Sequence, residues 1–332
     1  MPSNATKSAL VTGANSGLGF EAAAQLAELG YARVILATRT LAKGQAARAK
    51  LVERTGKDPF EELVVDVSNN GIVRAAVDTL TERGGKLDAV LLNAGLMSST
   101  EIVRNEDGVE ITVAASIIGH HVLTMGLLEH GLLTPQARIV LAGSEAARGD
   151  VPMMKLTDIQ SFAADNTDGD RAKAIALIAR AESPYVYKHM PHYAMTKLFL
   201  AWWVAALARR MPDGVTITAV SPGSVPSTGV SRNQGWLMQF MSTKVMGGWL
   251  GEAVGMGASV EKATKRYIDA FDYGTDVNGQ FFASVPGKMV GKVVRQTQAH
   301  VLDEPSEEAA WRAVVSLSGA ALPAAASQHA VM

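Results

Sequence analysis

Short apolar runs rich in β-branched residues alternate with longer stretches of helical periodicity along the first half of the chain. The runs lie at residues 9–11, 33–37, 63–65, 89–92 and 138–142. Because this alternation is typical of βαβ units, it predicts an α/β fold in which a doubly wound parallel sheet lies between two helical layers. A predicted helix at 192–210 leads into a strand at 215–220, and 279–283 is the last predicted strand.

Two regions interrupt the alternation. Residues 150–190 carry turn signals around one helical piece at 171–182, which indicates an insertion away from the sheet. Within 226–278, the segment 229–257 is rich in Met, Trp and Gly and has the character of an adaptable apolar cover over a substrate. We therefore expect a single domain over residues 7–320, followed by a tail at 321–332.

The amino-acid composition excludes several classes of function. Apolar residues make up 48% of the chain, charged residues 19%, and the net charge is −1. These values exclude a disordered chain and argue against a nucleic-acid partner held by a basic surface. With no cysteine, thiolate metal sites and a cysteine nucleophile are excluded, and no metal is expected. No secretory leader and no apolar run of membrane-spanning length is visible, so we expect a soluble, cytoplasmic protein.

A glycine-rich segment follows the first predicted strand and opens a helix that runs to Leu29. Its candidate phosphate-binding residues are Gly13, Asn15, Ser16, Gly17, Leu18 and Gly19. Glycines permit a tight turn and close backbone approach, and a helix amino terminus offers free N–H groups, so the segment predicts a dinucleotide site. A glycine turn that serves only packing is the alternative.

The end of the second predicted strand bears on the choice of dinucleotide. A carboxylate that would bind the ribose 2′-hydroxyl of NAD is missing there, and the chain instead reads Thr38-Arg39. Arg39 offers a guanidinium fork to a 2′-phosphate, with Lys43 as a lesser candidate. NADP(H) is therefore favoured over NAD(H), unless Arg39 is simply a solvated residue after a strand.

Three further motifs follow in order: Asn93-Ala94-Gly95, the pair Tyr193 and Lys197 on a helix, and Pro222-Gly223. With the glycine segment they resemble the short-chain dehydrogenase/reductase family over about residues 7–228, in its TGxxxGxG subgroup with a YxxxK motif. The resemblance is to retinol-dehydrogenase-like and carbonyl-reductase-like members. It implies a Rossmann fold, a nicotinamide cofactor and hydride transfer.

The resemblance also implies roles for individual residues. The phosphates would be held by Gly13, Ser16, Gly17, Leu18 and Gly19. The adenine would contact Asp66 and Val67, and the adenosine ribose would be lined by Asn93, Ala94 and Gly95. The nicotinamide would be flanked by Pro222, Gly223 and Val225, and Ser227 would contact the cofactor amide or phosphate.

The predicted catalytic residues are Ser144, Tyr193 and Lys197, with Ser116 in a supporting role, and the resemblance implies that Tyr193 and Lys197 also contact the cofactor. Tyr193 and Lys197 lie one above the other on a helix face, and an ammonium ~4 Å from a phenol supplies up to ~4 kcal/mol, which would lower its pKa towards the working range. Ser144 follows the fifth strand, where its hydroxyl could hold the substrate oxygen. The alternatives are an accidental Tyr and Lys on an amphipathic helix and a serine that only caps a loop.

Two departures from the family pattern stand out. Ser116 lies where the family commonly has an Asn that supports a proton relay, so reduced but not absent activity is expected. Ser144 and Tyr193 are 49 positions apart, a separation that resembles monomeric carbonyl reductases, so a monomer is favoured and a dimer is possible. His189 and His192 beside Tyr193 are interpreted as rim or packing residues.

Together these features predict an NADP(H)-dependent oxidoreductase that moves a hydride between nicotinamide and a carbonyl or secondary alcohol of a fairly apolar small molecule. Two alternatives remain. One is reduction of a carbon–carbon double bond on the same scaffold, and the other is a non-catalytic NADP(H)-binding sensor.

Overall fold

The computed structural model describes residues 4–225 and 257–323, and its centre is an eight-stranded sheet. The strands are β1 (Ser8–Thr12), β2 (Arg33–Thr38), β3 (Phe60–Val64), β4 (Leu87–Leu92), β5 (Leu133–Ala142), β6 (Thr216–Val220), β7 (Phe281–Ser284) and β8 (Val293–Arg295). Their order is β3-β2-β1-β4-β5-β6-β7-β8, and only β8 pairs antiparallel with its neighbour. Consequently the first seven strands end at one edge of the sheet, and the order reverses between β1 and β4.

Helices cover both faces of the sheet. They are α1 (Gly17–Glu28), α2 (Leu41–Thr55), α3 (Asn70–Arg83), α4 (Ile111–Val113), α5 (Gly119–Glu129), α6 (Ile159–Asn166), α7 (Arg171–Ala179), α8 (His189–Ala208), α9 (Val260–Ala270) and α10 (Glu304–Ser318). Helices α1, α2 and α9 pack on one face, and α3, α5 and α8 on the other. A π-helical turn, Ala114–Ile118, joins α4 to α5, and a 3₁₀ turn, Glu145–Arg148, follows β5.

Alternate strand residues divide the core into two clusters. In β1, Leu10 packs in one cluster, whereas Ala9 and Val11 pack in the other, because successive strand side chains point to opposite faces. Helix α8 is apolar all around, and Trp202 and Trp203 are fully buried because α10 and α7 cover its outer side. The fold is therefore a doubly wound three-layer αβα structure, as predicted.

Several elements differ from the sequence prediction. The third strand begins at Phe60 rather than at 63, and Glu61 and Glu62 within this edge strand pair with Arg33 of β2 and Arg48 of α2. These charges break the apolar pattern that the prediction relied on. Strand β8 and helix α10 were not predicted at all.

The insertion contains two helices, α6 and α7, rather than one. Helix α7 ends at Ala179, and the chain then continues towards α8 through a cis Ser183-Pro184 bond. In the predicted cover over 226–278, residues 226–256 lie outside the described residues, and α9 packs against α1 on the sheet. The described part of that range therefore belongs to a helical layer.

One helical stretch, Ile111–Glu129, is long and apolar enough to cross a membrane by composition alone. Most of it is buried inside the fold, as is typical of a core helix. Its close packing depends on Gly119, since a Cβ there would come within 1.8 Å of the Val67 carbonyl oxygen. That contact fixes α5 against the segment that follows β3.

Candidate active site

The glycine segment forms a tight turn between β1 and α1. Gly13 and Gly17 have φ values of +68° and +56°, and a Cβ on Gly19 would come within 2.4 Å of the Gly13 carbonyl oxygen. Gly13 N–H donates to Ala37 O over 2.9 Å, which ties the turn to the end of β2. These positions require glycine for two different reasons, namely left-handed backbone and close approach.

The same segment fits the phosphates of a dinucleotide. Ser16 occupies the N-cap position of α1, but its side chain makes no capping hydrogen bond. Asn15 is half-buried beside it, and the N–H groups of Gly17, Leu18 and Gly19 begin the first helical turn. Free N–H groups at a helix amino terminus, inside a turn that no Cβ could enter, form a cradle for an anion.

Thr38 and Arg39 lie in different environments at the end of β2. Thr38 is buried and its hydroxyl donates to Thr40 O over 3.0 Å, so it shapes the turn and does not face outward. Arg39 is exposed, and within residues 4–225 and 257–323 its side chain has no hydrogen-bond or ion-pair partner. The guanidinium is therefore available to a ligand at the edge of the predicted cofactor site.

Asn93, Ala94 and Gly95 follow β4 at the reversal point of the sheet. Asn93 Nδ2 donates to Thr12 O, and the N–H groups of Asn93 and Ala94 both donate to Thr12 Oγ1, each over 2.9 Å. The Asn93 side chain thus holds the glycine turn, whereas Gly95 is exposed beside it.

Asp66 and Val67 differ in how their side chains lie. Asp66 Oδ1 accepts hydrogen bonds from the N–H and hydroxyl of Ser68, and Val67 is buried. Both follow β3, so they lie at the carboxyl edge of the sheet where the adenine was predicted.

Ser144, Tyr193 and Lys197 come together at that edge. Ser144 begins the 3₁₀ turn after β5, and its hydroxyl accepts from Ala146 N over 3.2 Å. Tyr193 shares a hydrogen bond with Ser144, and Lys197 Nζ lies 5.7 Å from the centroid of the Tyr193 ring. Lys197 Nζ itself donates to Ala142 O over 2.9 Å. The residues that the sequence separates by 49 positions therefore form one cluster.

The electrostatics of this cluster differ from the sequence expectation. Burial raises the pKa of the Tyr193 phenol above its usual value, the hydrogen bond with Ser144 lowers it, and the charge of Glu145 raises it. Burial lowers the pKa of Lys197 to about 8. The predicted lowering of the Tyr193 pKa by Lys197 is not found: burial is the largest effect and raises this pKa, and the Lys197 ammonium is directed at Ala142 O.

Ser116 lies in the π-helical turn, where it is buried and its hydroxyl has no hydrogen-bond partner in the described part of the chain. A Cβ on Gly95 would be 3.2 Å from that hydroxyl, so Ser116 faces the segment after β4. Its carbonyl accepts from His120 Nδ1 over 3.2 Å. Since π-helical turns occur frequently at functional sites, the placement suits the predicted supporting role.

The turn after β6 carries the residues predicted to flank the nicotinamide. Gly223 has a φ of +83°, and Pro222 and Val225 are half-buried on either side. Ser224 N donates to Met289 O over 2.8 Å, which joins the turn to the loop after β7. Ser227 lies outside the described residues.

Sequence reasoning missed charged residues buried around the cluster. Glu145, directly after Ser144, pairs with Arg266 of α9, and Glu110 pairs with His192 directly before Tyr193. The sequence did carry a signal for Glu145, because an acidic residue next to a predicted catalytic serine needs a partner when it is buried. Nothing in the sequence indicated which distant residue provides that partner.

Comparisons with known proteins agree with this fold. A family model described as short chain dehydrogenase matches residues 7–156. The short chain dehydrogenase sol3 of Alternaria solani is 30% identical over 217 residues, which cover 65% of this chain and 71% of the relative. An uncharacterized protein from Mycobacterium Paratuberculosis has a crystal structure with a TM-score of 0.67 at 22% identity, covering 97% of both chains.

A short chain dehydrogenase from Burkholderia cenocepacia J2315 in complex with NADP gives a TM-score of 0.58 at 22% identity, covering 84% of this chain and 96% of that one. The protein described here belongs to the short-chain dehydrogenase/reductase family. It is accordingly an oxidoreductase that uses a nicotinamide cofactor and acts on a small molecule.

Proposed function

We propose that the protein is an NADP(H)-dependent oxidoreductase that interconverts a carbonyl group and a secondary alcohol of an apolar small molecule. The observation that carries the proposal is the cluster of Ser144, Tyr193 and Lys197 at the carboxyl edge of the sheet. A proton donor, a second hydroxyl that shares its hydrogen bond and a nearby ammonium are the groups that protonation of a carbonyl oxygen requires.

Each residue has a separate task in this proposal. The bound nicotinamide supplies or accepts the hydride. The Tyr193 hydroxyl gives its proton to the substrate oxygen, or takes it back in the reverse direction. Ser144 Oγ donates a hydrogen bond to the same oxygen, and the charge at Lys197 Nζ favours the phenolate that remains. Because burial raises the pKa of Tyr193, the phenol is protonated and ready to donate at neutral pH.

A preference for NADP(H) rests on Arg39. Its guanidinium is exposed next to the glycine turn, and the end of β2 carries no carboxylate that would repel a 2′-phosphate. The Burkholderia cenocepacia relative in fold was solved with NADP, which supports the same choice of cofactor. Ser116, facing the segment after β4, remains the proposed support for a proton relay.

An apolar substrate is supported by the described loops as well as by the Met- and Trp-rich segment. Exposed apolar side chains lie at the carboxyl edge on the loops after β4, β5 and β7 and before α8: Leu96, Met153, Val285 and Val186. Tyr187 Oη donates to Ser99 O over 2.6 Å, which brings the insertion against the loop after β4. Apolar surface around a few polar groups is typical of a small-molecule site.

The test is turnover of apolar ketones and their secondary alcohols with NADPH and NADP, comparing wild-type protein with Tyr193→Phe. We expect turnover in the wild type and a loss of at least ~100-fold in the variant, because general acid catalysis contributes ~100-fold or more. NADPH binding, followed by nucleotide fluorescence, should persist in the variant. Full activity of Tyr193→Phe would refute the assignment, and turnover of enones alone would favour reduction of a double bond.

We also propose that the protein is a cytoplasmic monomer. The outer side of α8 is covered by α10 and by α7 of the insertion, so this helix offers little apolar surface to a second copy. Light scattering of the purified protein across a concentration series tests this, and a stable dimer would refute it.

A further inference from the structure

Glu145 is almost completely buried, although it directly follows Ser144 on the 3₁₀ turn. A buried carboxylate is costly unless it is paired and hydrogen-bonded. Its Oε2 accepts a short hydrogen bond from Ser221 Oγ, and its Oε1 accepts from Ser284 N over 3.2 Å and Ser284 Oγ over 2.9 Å. Arg266 Nη1 lies 3.6 Å from Oε1. We call Glu145, Ser221, Arg266 and Ser284 the Glu145 network.

Arg266 completes the network from α9. Its side chain is 10% exposed, Nη1 donates to Ser221 O over 3.1 Å, and Nη2 donates to Gly291 O over 2.9 Å. A Cβ on Gly223 would come within 3.0 Å of Nη1, so the guanidinium lies directly against the Pro222-Gly223 turn. The arginine thus holds the turn that the sequence predicts beside the nicotinamide.

The network joins the ends of three neighbouring strands. Glu145 follows β5, Ser221 follows β6 and Ser284 ends β7. A carboxylate can accept from both serines at once, which fixes the distance between the Ser144 turn and the Pro222-Gly223 turn. Gly223 N donates back to Ser221 Oγ over 3.2 Å, so that hydroxyl is held from both sides.

The network also brings charge close to the phenol of Tyr193. Among the described residues, Lys197 Nζ on the same helix lies 5.7 Å from the centroid of the Tyr193 ring, and the charges of Glu145 on the 3₁₀ turn and of Tyr267 on α9 act on this phenol. Burial raises the pKa of Tyr193 and of Tyr267, the negative charge of Glu145 raises both further, and Arg266 lowers that of Tyr267. His120 faces Lys197 and stays neutral, since burial lowers its pKa to about 4.

We propose that Glu145, balanced by Arg266, is a positioning residue that fixes the Pro222-Gly223 turn relative to Ser144. Its negative charge also adds to the burial that favours the protonated form of the Tyr193 phenol. This proposal rests on the proposed function only in its expected effect on turnover, because that effect requires the proposed reaction to occur. Its effect on the ionisation of Tyr193 is a property of the folded chain and can be measured without substrate.

The test is a pH titration of tyrosinate absorbance in wild type and Glu145→Gln, each compared with the same protein carrying Tyr193→Phe. The difference isolates Tyr193 from the other tyrosines. The amide keeps the size of the side chain and removes its charge, so we expect the Tyr193 midpoint to fall by about one pH unit. Identical midpoints in wild type and Glu145→Gln would overturn the electrostatic part of the proposal.

Glu307→Gln is the matched control. Glu307 is also nearly buried and pairs with Arg209 over 2.5 Å, but Arg209 follows the opposite end of α8 from Tyr193. Removing this charge should leave the Tyr193 midpoint unchanged. A shift of equal size in the control would mean that the change is general and would overturn the assignment to Glu145.

Two further variants separate position from charge. Glu145→Asp keeps the charge and shortens the side chain, and Ser221→Ala keeps Glu145 and removes one of its donors. Both should keep the wild-type Tyr193 midpoint and lower kcat by ~10-fold, with the KM for NADPH within ~3-fold. If Glu145→Gln does not fold, Ser221→Ala tests the positioning role by itself. An unchanged kcat in Ser221→Ala would overturn that role.

The outcomes of this proposal and of the proposed function are distinct. An active Tyr193→Phe would refute the proposed reaction and leave the midpoint measurement intact. An inactive Tyr193→Phe together with wild-type midpoint and kcat in the Glu145 variants would refute the network and leave the reaction intact.

Discussion

His192 Nε2 donates to Glu110 Oε2 over 3.0 Å, and neither side chain has any exposed surface. The pair lies directly before Tyr193 in sequence, and the rings of Tyr185 and Tyr187 from the insertion lie 5.8 Å and 4.9 Å from the His192 ring. Glu110 also accepts from Thr112 N over 2.8 Å and so begins α4. The insertion, the start of α4 and the first turn of α8 therefore meet at one buried pair.

Replacing Glu110 with Ala should destabilise the protein by ~3 kcal/mol, because the N–H groups of Thr112 and His192 lose a buried acceptor. Urea unfolding monitored by tryptophan fluorescence measures this free energy. Glu129→Ala, at an exposed position at the end of α5, is the control and should change it by less than ~0.5 kcal/mol. Equal effects in both variants would contradict the role of the pair.

Replacing Arg39 with Ala should weaken NADPH binding by ~10-fold or more and leave NADH binding nearly unchanged, because only the 2′-phosphate needs the guanidinium. Fluorescence titration with each nucleotide measures both dissociation constants. Lys43→Ala, one turn into α2, should have a smaller effect. If wild-type protein binds NADH as tightly as NADPH, the assignment of Arg39 to the phosphate is wrong.

Gly119→Ala should cost more than ~3 kcal/mol or prevent folding, because its Cβ would lie 1.8 Å from the Val67 carbonyl oxygen and backbone cannot move aside cheaply. Gly71→Ala, near the start of α3, is the matched substitution, since its nearest neighbour is a side-chain oxygen at 3.3 Å. Denaturant unfolding of both variants gives the comparison. Similar losses of unfolding free energy in the two variants would contradict the prediction that close approach to Val67 makes glycine necessary at position 119.

The stability of the protein should fall between about pH 6.5 and pH 4 because of two adjacent buried histidines. Burial lowers the pKa of His120 and of His121 to about 4. In His120, Nδ1 donates to Ser116 O, and Nε2 therefore accepts a hydrogen bond from the Thr12 hydroxyl. In His121, Nε2 donates to Ala320 O, and Nδ1 therefore accepts a hydrogen bond from the indole N–H of Trp203. Each ring is therefore held in one neutral tautomer, and protonation would break a hydrogen bond.

The direction of this change in stability with pH follows from proton uptake by the unfolded chain. Below about pH 6.5 the unfolded chain binds protons at both histidines and the folded chain does not, so each residue costs ~1.4 kcal/mol of stability per pH unit until its folded pKa is reached. Unfolding free energies measured from pH 7.5 to 5 test this. His121→Gln should reduce the slope, and His130→Gln, at an exposed position, should not change it.

Much of the fold could be predicted from the sequence, because apolar periodicity reports local structure directly. Strands β1, β2, β4, β5 and β6 lie where buried β-branched runs occur, and Gly30 follows α1 as expected. Helix α10 carried usable signals, Pro305 at its start and Gly319 in left-handed conformation after its end. Edge strands β3 and β8 were harder, since charges and short length hide their pattern.

The sequence alone determined the fold class, the glycine turn and the candidate residues Ser144, Tyr193 and Lys197, because each depends on local patterns and on the rule that parallel strands end at one edge. The tertiary structure decided which distant residues surround them: Arg266 beside Glu145, Glu110 beside His192, and Ala142 O as the partner of Lys197. These contacts set burial, and burial rather than residue type decides the direction of the pKa changes at Tyr193 and Lys197.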